Sequence, residues 1–249
     1  MSSPFKTPIG FARLLIVIAI LVLVVMLQVF VGLFSPNWIF LLGSALIVIL
    51  ALINFIDKRS DANMGRFVLL LLAAMLVCFI ADLLMAGVFY VIPGESLING
   101  VLFFALGHVT YLLALRDRSP LLLRSGSPRL IMRNLIIWIV GIAVVFLLFY
   151  LTLYDPGQMV ISIGLFGYGI LLTSSLVFSL TKQFDDFPQL FGACLLLGFI
   201  LFFISDYILG YKILKDSGFL SGIEAVGMTY LLGQMLIQLS PIFLEGEKQ

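Results

Sequence analysis

The chain has 249 residues, of which 62% are hydrophobic and only 11% charged, and its mean hydropathy is +1.22. Soluble domains are about 45–50% apolar and about 25% charged. The composition therefore identifies an integral membrane protein with room for roughly eight spans of about 20 residues, and it excludes a sizeable soluble domain. Net charge is +1 with no basic stripe interleaved with aromatics, so no nucleic-acid partner is expected.

Eight spans follow in chain order: 11–34, 37–56, 67–91, 97–115, 131–153, 157–180, 190–210 and 222–243. The first follows Lys6 and Arg13 and is too long for a signal-peptide core, so it is expected to stay as an anchor. Ser35-Pro36-Asn37 is turn chemistry leading into the second span, and Asp155-Pro156-Gly157 closes the fifth in the same way. Cys78 and Cys194 lie mid-span among apolar residues and read as packing residues, with neither a disulfide framework nor a metal motif available. Gly164, Gly167 and Gly169 in span six read as small residues that let helices approach closely. The loop from Arg116 to Arg133 is rich in arginine, which reads as topogenic charge beside anionic headgroups.

Alternating the loops assigns twelve of the fourteen Lys and Arg residues to the side of the N-terminus and only Lys212 and Lys215 to the other. By the positive-inside rule both termini are expected in the cytoplasm. The expected location is a multi-pass position in a membrane, the plasma (inner) membrane if the chain is bacterial.

Span three, FVLLLLAAMLVCFIADLLMAGVFYV, carries one carboxylate, Asp82; span seven, LLLGFILFFISDYILG, carries Asp206. Each is followed by a span containing Thr-Tyr-Leu-Leu: Tyr111 lies in the first, after His108, and Tyr230 in the second, before Gln234. At 1.5 Å per residue both acids lie about 24 Å along their spans. The correspondence predicts a single transmembrane domain, 1–249, built as a 4+4 parallel internal repeat with halves 1–116 and 117–249. The fold class is thus an all-α, eight-helix membrane bundle.

A charge in a hydrocarbon-length segment costs several kcal/mol unless it is paired, protonated or facing a cavity, so Asp82 and Asp206 are the first functional candidates. His108 and Tyr111 are three apart, and Tyr230 and Gln234 four apart, so each pair shares a helix face. Glu224, at the edge of span eight, reads as solvated, and Ser205 as a local hydrogen-bonder. Every lysine lies in a loop or terminus, which excludes a retinal Schiff base, and a single histidine excludes bis-histidine haem ligation. Neither HExxH nor GxSxG is present. What survives is a pair of carboxylates in an apolar cavity, one holding a proton and one ionised, the division of labour that acetal and glycoside cleavage requires.

The set Ala81-Asp82, Gly107-His108-x-x-Tyr111, Ser205-Asp206 and Thr229-Tyr230-x-x-x-Gln234 resembles the YhhN-like lysoplasmalogenase family of integral membrane proteins. One departure is Ala81, where a serine like Ser205 is expected. The resemblance implies an eight-helix hydrolase that cleaves the vinyl-ether bond of lysoplasmalogens, in water and among membrane lipids, to fatty aldehyde and glycerophosphocholine or glycerophosphoethanolamine. It further implies Asp82 and Asp206 as the catalytic acids, with His108, Tyr111, Tyr230 and Gln234 positioning water, substrate and acids, and no metal or organic cofactor. Two other readings use the same residues: a proton-coupled transporter of a small molecule or lipid, and a binding or sensory bundle without chemistry.

Overall fold

A computed structural model describes residues 7–29, 36–61, 64–93, 95–117, 128–184, 188–215 and 225–247. Glu224 and the greater part of the arginine-rich loop lie outside them. Eight helices are present and, among the described residues, no strand: α1 Pro8–Val29, α2 Pro36–Lys58, α3 Gly65–Met85, α4 Ser96–Asp117, α5 Pro128–Thr152, α6 Met159–Phe184, α7 Gln189–Lys215 and α8 Ala225–Leu239. All eight are long and apolar enough to cross a membrane, α8 by running on through a 3₁₀ segment, Ser240–Glu247. The chain is a multi-pass integral membrane protein.

Several ends differ from expectation, α6 among them, which runs to Phe184 past the expected 180. Helix α3 stops at Met85 rather than 91, because Gly87 adopts φ 73° and its N–H turns back to the Leu84 carbonyl. Helix α7 runs on to Lys215 past the expected end at 210, since nothing after Gly210 breaks it and lysines in the last turn suit its dipole. Helix α8 gives way to 3₁₀ geometry at Ser240, where Pro241 cannot donate to the α-helical ladder. Pro36 opens α2 in its first turn, and Asp155 caps the 3₁₀ turn before α6 by accepting from the Gly157 N–H at 2.9 Å.

Helices that follow one another in the chain pack on one another within each set of four. Helix α1 packs on α2, α2 on α3 and α3 on α4; α5 packs on α6, α6 on α7 and α7 on α8; α4 meets α6 and α8 meets α2. Helix α1 also packs on α8, a relation for which α4 and α5 show no counterpart among the described residues. The hairpins α3–α4 and α7–α8 form the centre, with Phe67, Met75, Phe191, Phe199, Phe202 and Leu231 fully or almost fully buried between them. Gly198 and Gly233 bring the α7 and α8 backbones into contact: a Cβ on Gly198 would lie 2.9 Å from the Gly233 carbonyl oxygen. Helix α5 is peripheral, its apolar side chains, Val140, Leu147 and Leu151 among them, exposed to what would be lipid.

The start of α1 and the end of α8 meet at one end of the bundle, called the terminal end below. Arg13 is buried there; its Nε donates to Asn54 Oδ1 (2.8 Å) and its Nη2 to Asp57 Oδ2 (2.7 Å), while Asn54 Nδ2 donates to the Gln238 carbonyl (2.5 Å). A residue that the sequence offers as topogenic charge is thus a buried staple joining α1, α2 and α8.

Candidate functional site

Both carboxylates project from continuous helices at the same register. Asp82 lies 17 residues after the first residue of α3, and Asp206 lies 17 residues after the first residue of α7. At 1.5 Å per residue that is about 26 Å from the terminal end in each case. Because α3 stops three residues after Asp82, this acid sits only about 4.5 Å short of the opposite helix end.

The two acids line one cavity of about 280 Å³. Its walls come from the end of α1 (Leu27), the start of α2 (Phe40), the end of α3 (Met85, Ala86), α4 (Phe104), α7 (Ser205, Leu209, Lys212) and the start of α8 (Val226, Gly227, Tyr230). These positions place the cavity at the end of the bundle away from the termini. The walls are largely apolar, so the acids face a space that is poor in other hydrogen-bonding groups.

Asp82 is held from two directions. Ser44 of α2 and Tyr230 of α8 (3.0 Å) both donate to its Oδ2, and its buried Oδ1 has no protein partner. That oxygen is available to whatever occupies the cavity. Asp206 accepts on Oδ2 from the hydroxyl of Tyr168 in α6. Each acid thus takes a hydroxyl from the helix that precedes its own in the chain. The serine missing at position 81 is no loss to Asp82, because the hydroxyl of Ser205 turns to the Val226 carbonyl of α8 (3.1 Å) rather than acting locally.

Of the remaining sequence candidates, Tyr230 alone lines the cavity. Its ring packs against Phe40, Phe104 and Phe202 at centroid distances of 5.3, 5.8 and 5.2 Å. Tyr111 and Gln234 pair with one another below it: the Tyr111 hydroxyl donates to Gln234 Oε1 at 2.6 Å and accepts from Gln238 Nε2 at 3.2 Å. This second polar layer, closer to the terminal end, leaves Gln234 Nε2 buried without a partner.

His108 does not line the cavity, but its ring lies 5.7 Å from that of Tyr168, the residue whose hydroxyl holds Asp206. The imidazole Nδ1 lies 3.1 Å from Ser175 Oγ of α6, its Nε2 is buried without a partner among the described residues, and the Phe202 ring packs on it tilted at a centroid distance of 4.6 Å and meets Tyr230 edge-on. The histidine is twelve residues into α4, about 18 Å from the helix end near which Asp82 lies, so the helix rise separates them.

Four contributors escaped the sequence reading: Ser44, Tyr168, Ser175 and Gln238. Hydroxyl residues in apolar helices satisfy themselves on the carbonyl four residues back, as Thr173, Ser174 and Ser175 do here. A serine or tyrosine therefore gives no sign in sequence that it also reaches another helix. Gly164 and Gly167 also differ from expectation. A Cβ on either would meet nothing within 4 Å, and both line an apolar groove of about 350 Å³ between α4 and α6 that reaches Tyr168. Cys78 fulfils its packing role, buried against Gly107. Among the described residues no group of three or more His, Cys, Asp or Glu side chains gathers closely enough to hold a metal ion.

A family model described as the YhhN family matches residues 38–241, most of the chain and every cavity-lining residue named above except Leu27. The chain belongs to the YhhN family. No curated protein and no solved structure matches it. The matched region begins in α2 and ends at Pro241, so it contains both carboxylates, the three hydroxyls that hold them and the whole second polar layer of this YhhN chain.

Proposed function

We propose that the protein is an intramembrane hydrolase that cleaves the vinyl-ether bond of lysoplasmalogens. The observation that carries this reading is the pair Asp82 and Asp206 on one largely apolar cavity at the end of the bundle away from the termini. The ether bond of a lysophospholipid lies at its glycerol, next to the headgroup, and a cavity at a bundle end suits it. Membership of the YhhN family and the resemblance of the site motifs to lysoplasmalogenases agree with it.

Vinyl-ether hydrolysis needs one proton delivered and one removed. One carboxylic acid protonates the β-carbon of the alkene, and the ether oxygen's lone pair completes an oxocarbenium ion. The other, ionised carboxylate stabilises that cation and takes a proton from the water that attacks the α-carbon, giving a hemiacetal. Collapse of the hemiacetal passes its hydroxyl proton to the first carboxylate while the second carboxyl gives the proton it took from water to the glycerol oxygen, releasing a fatty aldehyde and a glycerophosphodiester. Each carboxyl has then exchanged one proton, and no redox partner is required. Positioned acid and base groups contribute about 10²- to 10⁴-fold each.

The hydroxyls of Ser44, Tyr230 and Tyr168 hold the carboxylates in place, while Asp82 Oδ1 is left for substrate or water. Tyr111 and Gln234 support Tyr230 from below, and His108 acts through packing. The groove between α4 and α6 provides a path for the alkenyl chain into the bilayer beside Tyr168. With the basic residues concentrated at the terminal end, both termini face the cytoplasm and the cavity opens towards the other side. A transporter is served less well, since α3 and α7 run unbroken through both acids, whereas midplane sites in transporters are built from interrupted helices.

The deciding experiment measures aldehyde released from a lysoplasmalogen by purified, detergent-solubilised protein, with Asp206→Asn beside it. Aldehyde from the native protein and a loss of at least a hundredfold in the variant is the expected result. A well-folded native protein that releases none overturns the proposal.

A further inference from the structure

Lys212 is the feature of this cavity that the two-acid chemistry does not use. It lies on α7 in the stripe Ser205, Leu209 and Lys212, spaced i, i+4 and i+7, so that the three share the face turned to the cavity. Asp206 is six residues earlier, about 9 Å along the helix axis. Among the described residues that line the cavity, Lys212 alone is cationic. Its neighbour in the same last turn, Lys215, donates to the Tyr154 carbonyl (3.1 Å), whereas Lys212 has no hydrogen bond or ion pair among the described residues.

These placements give the cavity a polarity along its length. Two carboxylates stand at the deeper end, one ammonium stands nearer the helix end, and apolar walls join them. A molecule that fits both ends has a neutral, proton-accepting group at the acids and an anion a few bonds away. Two buried acids alone would repel an anionic substrate, and a cation at the mouth offsets that field. Lysine is well suited to the task, because its ammonium acts as a point charge towards phosphate and tolerates varied approach angles.

We infer that Lys212 is the anchor for the phosphate of a lysophospholipid bound in the Asp82/Asp206 cavity. The inference rests on the hydrolase reading for the identity of the lipid. In a 1-alkenyl glycerophospholipid the three glycerol carbons separate the ether oxygen from the phosphate ester, which sets the two groups that the cavity ends would hold. The anchor reads the phosphate and not the amine beyond it, so choline and ethanolamine headgroups bind alike. The lipid lies with its headgroup towards the ends of α3 and α7 and its chain towards the bilayer interior.

The test is direct binding, independent of turnover, to full-length detergent-solubilised protein. The probes are 1-O-alkyl-glycero-3-phosphocholine, whose saturated ether is not cleaved by this chemistry, and the uncharged 1-O-alkylglycerol of the same chain length. In the native protein the phospholipid is expected to bind on the order of 10- to 100-fold more tightly, the range of a hydrogen bond to a charged group. Lys212→Met should bring the ratio to within about twofold, and Lys212→Arg should keep most of it. A thermal melt of each variant controls for folding, with Lys212→Gln as a second neutral replacement. A ratio that Lys212→Met and Lys212→Gln both leave unchanged overturns the anchor. Displacement of either probe by inorganic phosphate at the affinity of the phospholipid overturns the lipid assignment in favour of a free-anion site. Aldehyde assays on the same samples separate the two proposals. A preserved ratio effect with no aldehyde sinks hydrolysis and keeps the anchor, and aldehyde with no ratio effect does the reverse.

Discussion

Tyr230→Phe removes one oxygen atom from the centre of the site and little else. The ring keeps its contacts with Phe40, Phe104 and Phe202, so the packing of α8 against α2, α4 and α7 is preserved. What disappears is the hydroxyl that donates to Asp82 Oδ2 at 3.0 Å, leaving Ser44 as the remaining donor to that oxygen. A hydrogen bond to a charged group is worth about 1.5–3 kcal/mol, and about 1.4 kcal/mol corresponds to a factor of ten. If the hydroxyl orients Asp82 during proton transfer, kcat/KM for aldehyde release should fall by roughly 10- to 150-fold in Tyr230→Phe.

Ser44→Ala should have an effect of similar size. Because both hydroxyls serve one oxygen, the double variant should depart from additivity by about 0.5 kcal/mol or more. The assay is initial-rate aldehyde release across substrate concentrations, with thermal unfolding of each variant as the control. Two results refute the reasoning. Turnover within twofold of native shows that the hydroxyl does not position the acid. A loss as complete as that of Asp82→Asn shows that the tyrosine itself carries the proton.

Other consequences are simpler. Asp82→Asn and Asp206→Asn should each lower turnover by about 10²- to 10⁴-fold, the contribution of a general acid or base, while remaining monodisperse on gel filtration; retained activity in both would end the two-acid mechanism. His108→Phe should lower the melting temperature more than it lowers kcat, since the imidazole packs on Phe202 and does not line the cavity; a thousandfold loss of kcat at unchanged stability would return the histidine to the chemistry. Gly167→Leu should fold normally into the open groove beside Tyr168 and depress kcat/KM for long-chain substrate more than for short-chain, an ordering read by comparing two alkenyl lengths. Gly198→Ala, by contrast, forces a Cβ against the Gly233 carbonyl and should destabilise by about 1–3 kcal/mol, measured by thermal or denaturant unfolding.

The sequence by itself determined the membrane class, the eight spans and the two acids. Each follows from transfer energetics: long apolar runs must cross a bilayer, and a lone carboxylate inside one is too costly to keep without a use. The matched registers of Asp82 and Asp206 were also legible, because residue number along a helix is depth. Only the tertiary structure decided which polar groups meet. Helix periodicity says which residues share a face but not what that face touches, and so His108 falls beside Ser175 and Phe202, while Tyr230 reaches Asp82. Ser44 and Tyr168, silent in sequence, become the partners of the acids because α2 and α6 pack beside α3 and α7. Arg13, a topogenic charge in one dimension, is buried and pairs with the half-buried Asp57 when α1 lies against α2. In an apolar chain the hydrophobic pattern specifies the spans, but it is nearly uniform around each helix; close packing and the need to satisfy each buried polar group then fix the rotation and the pairing.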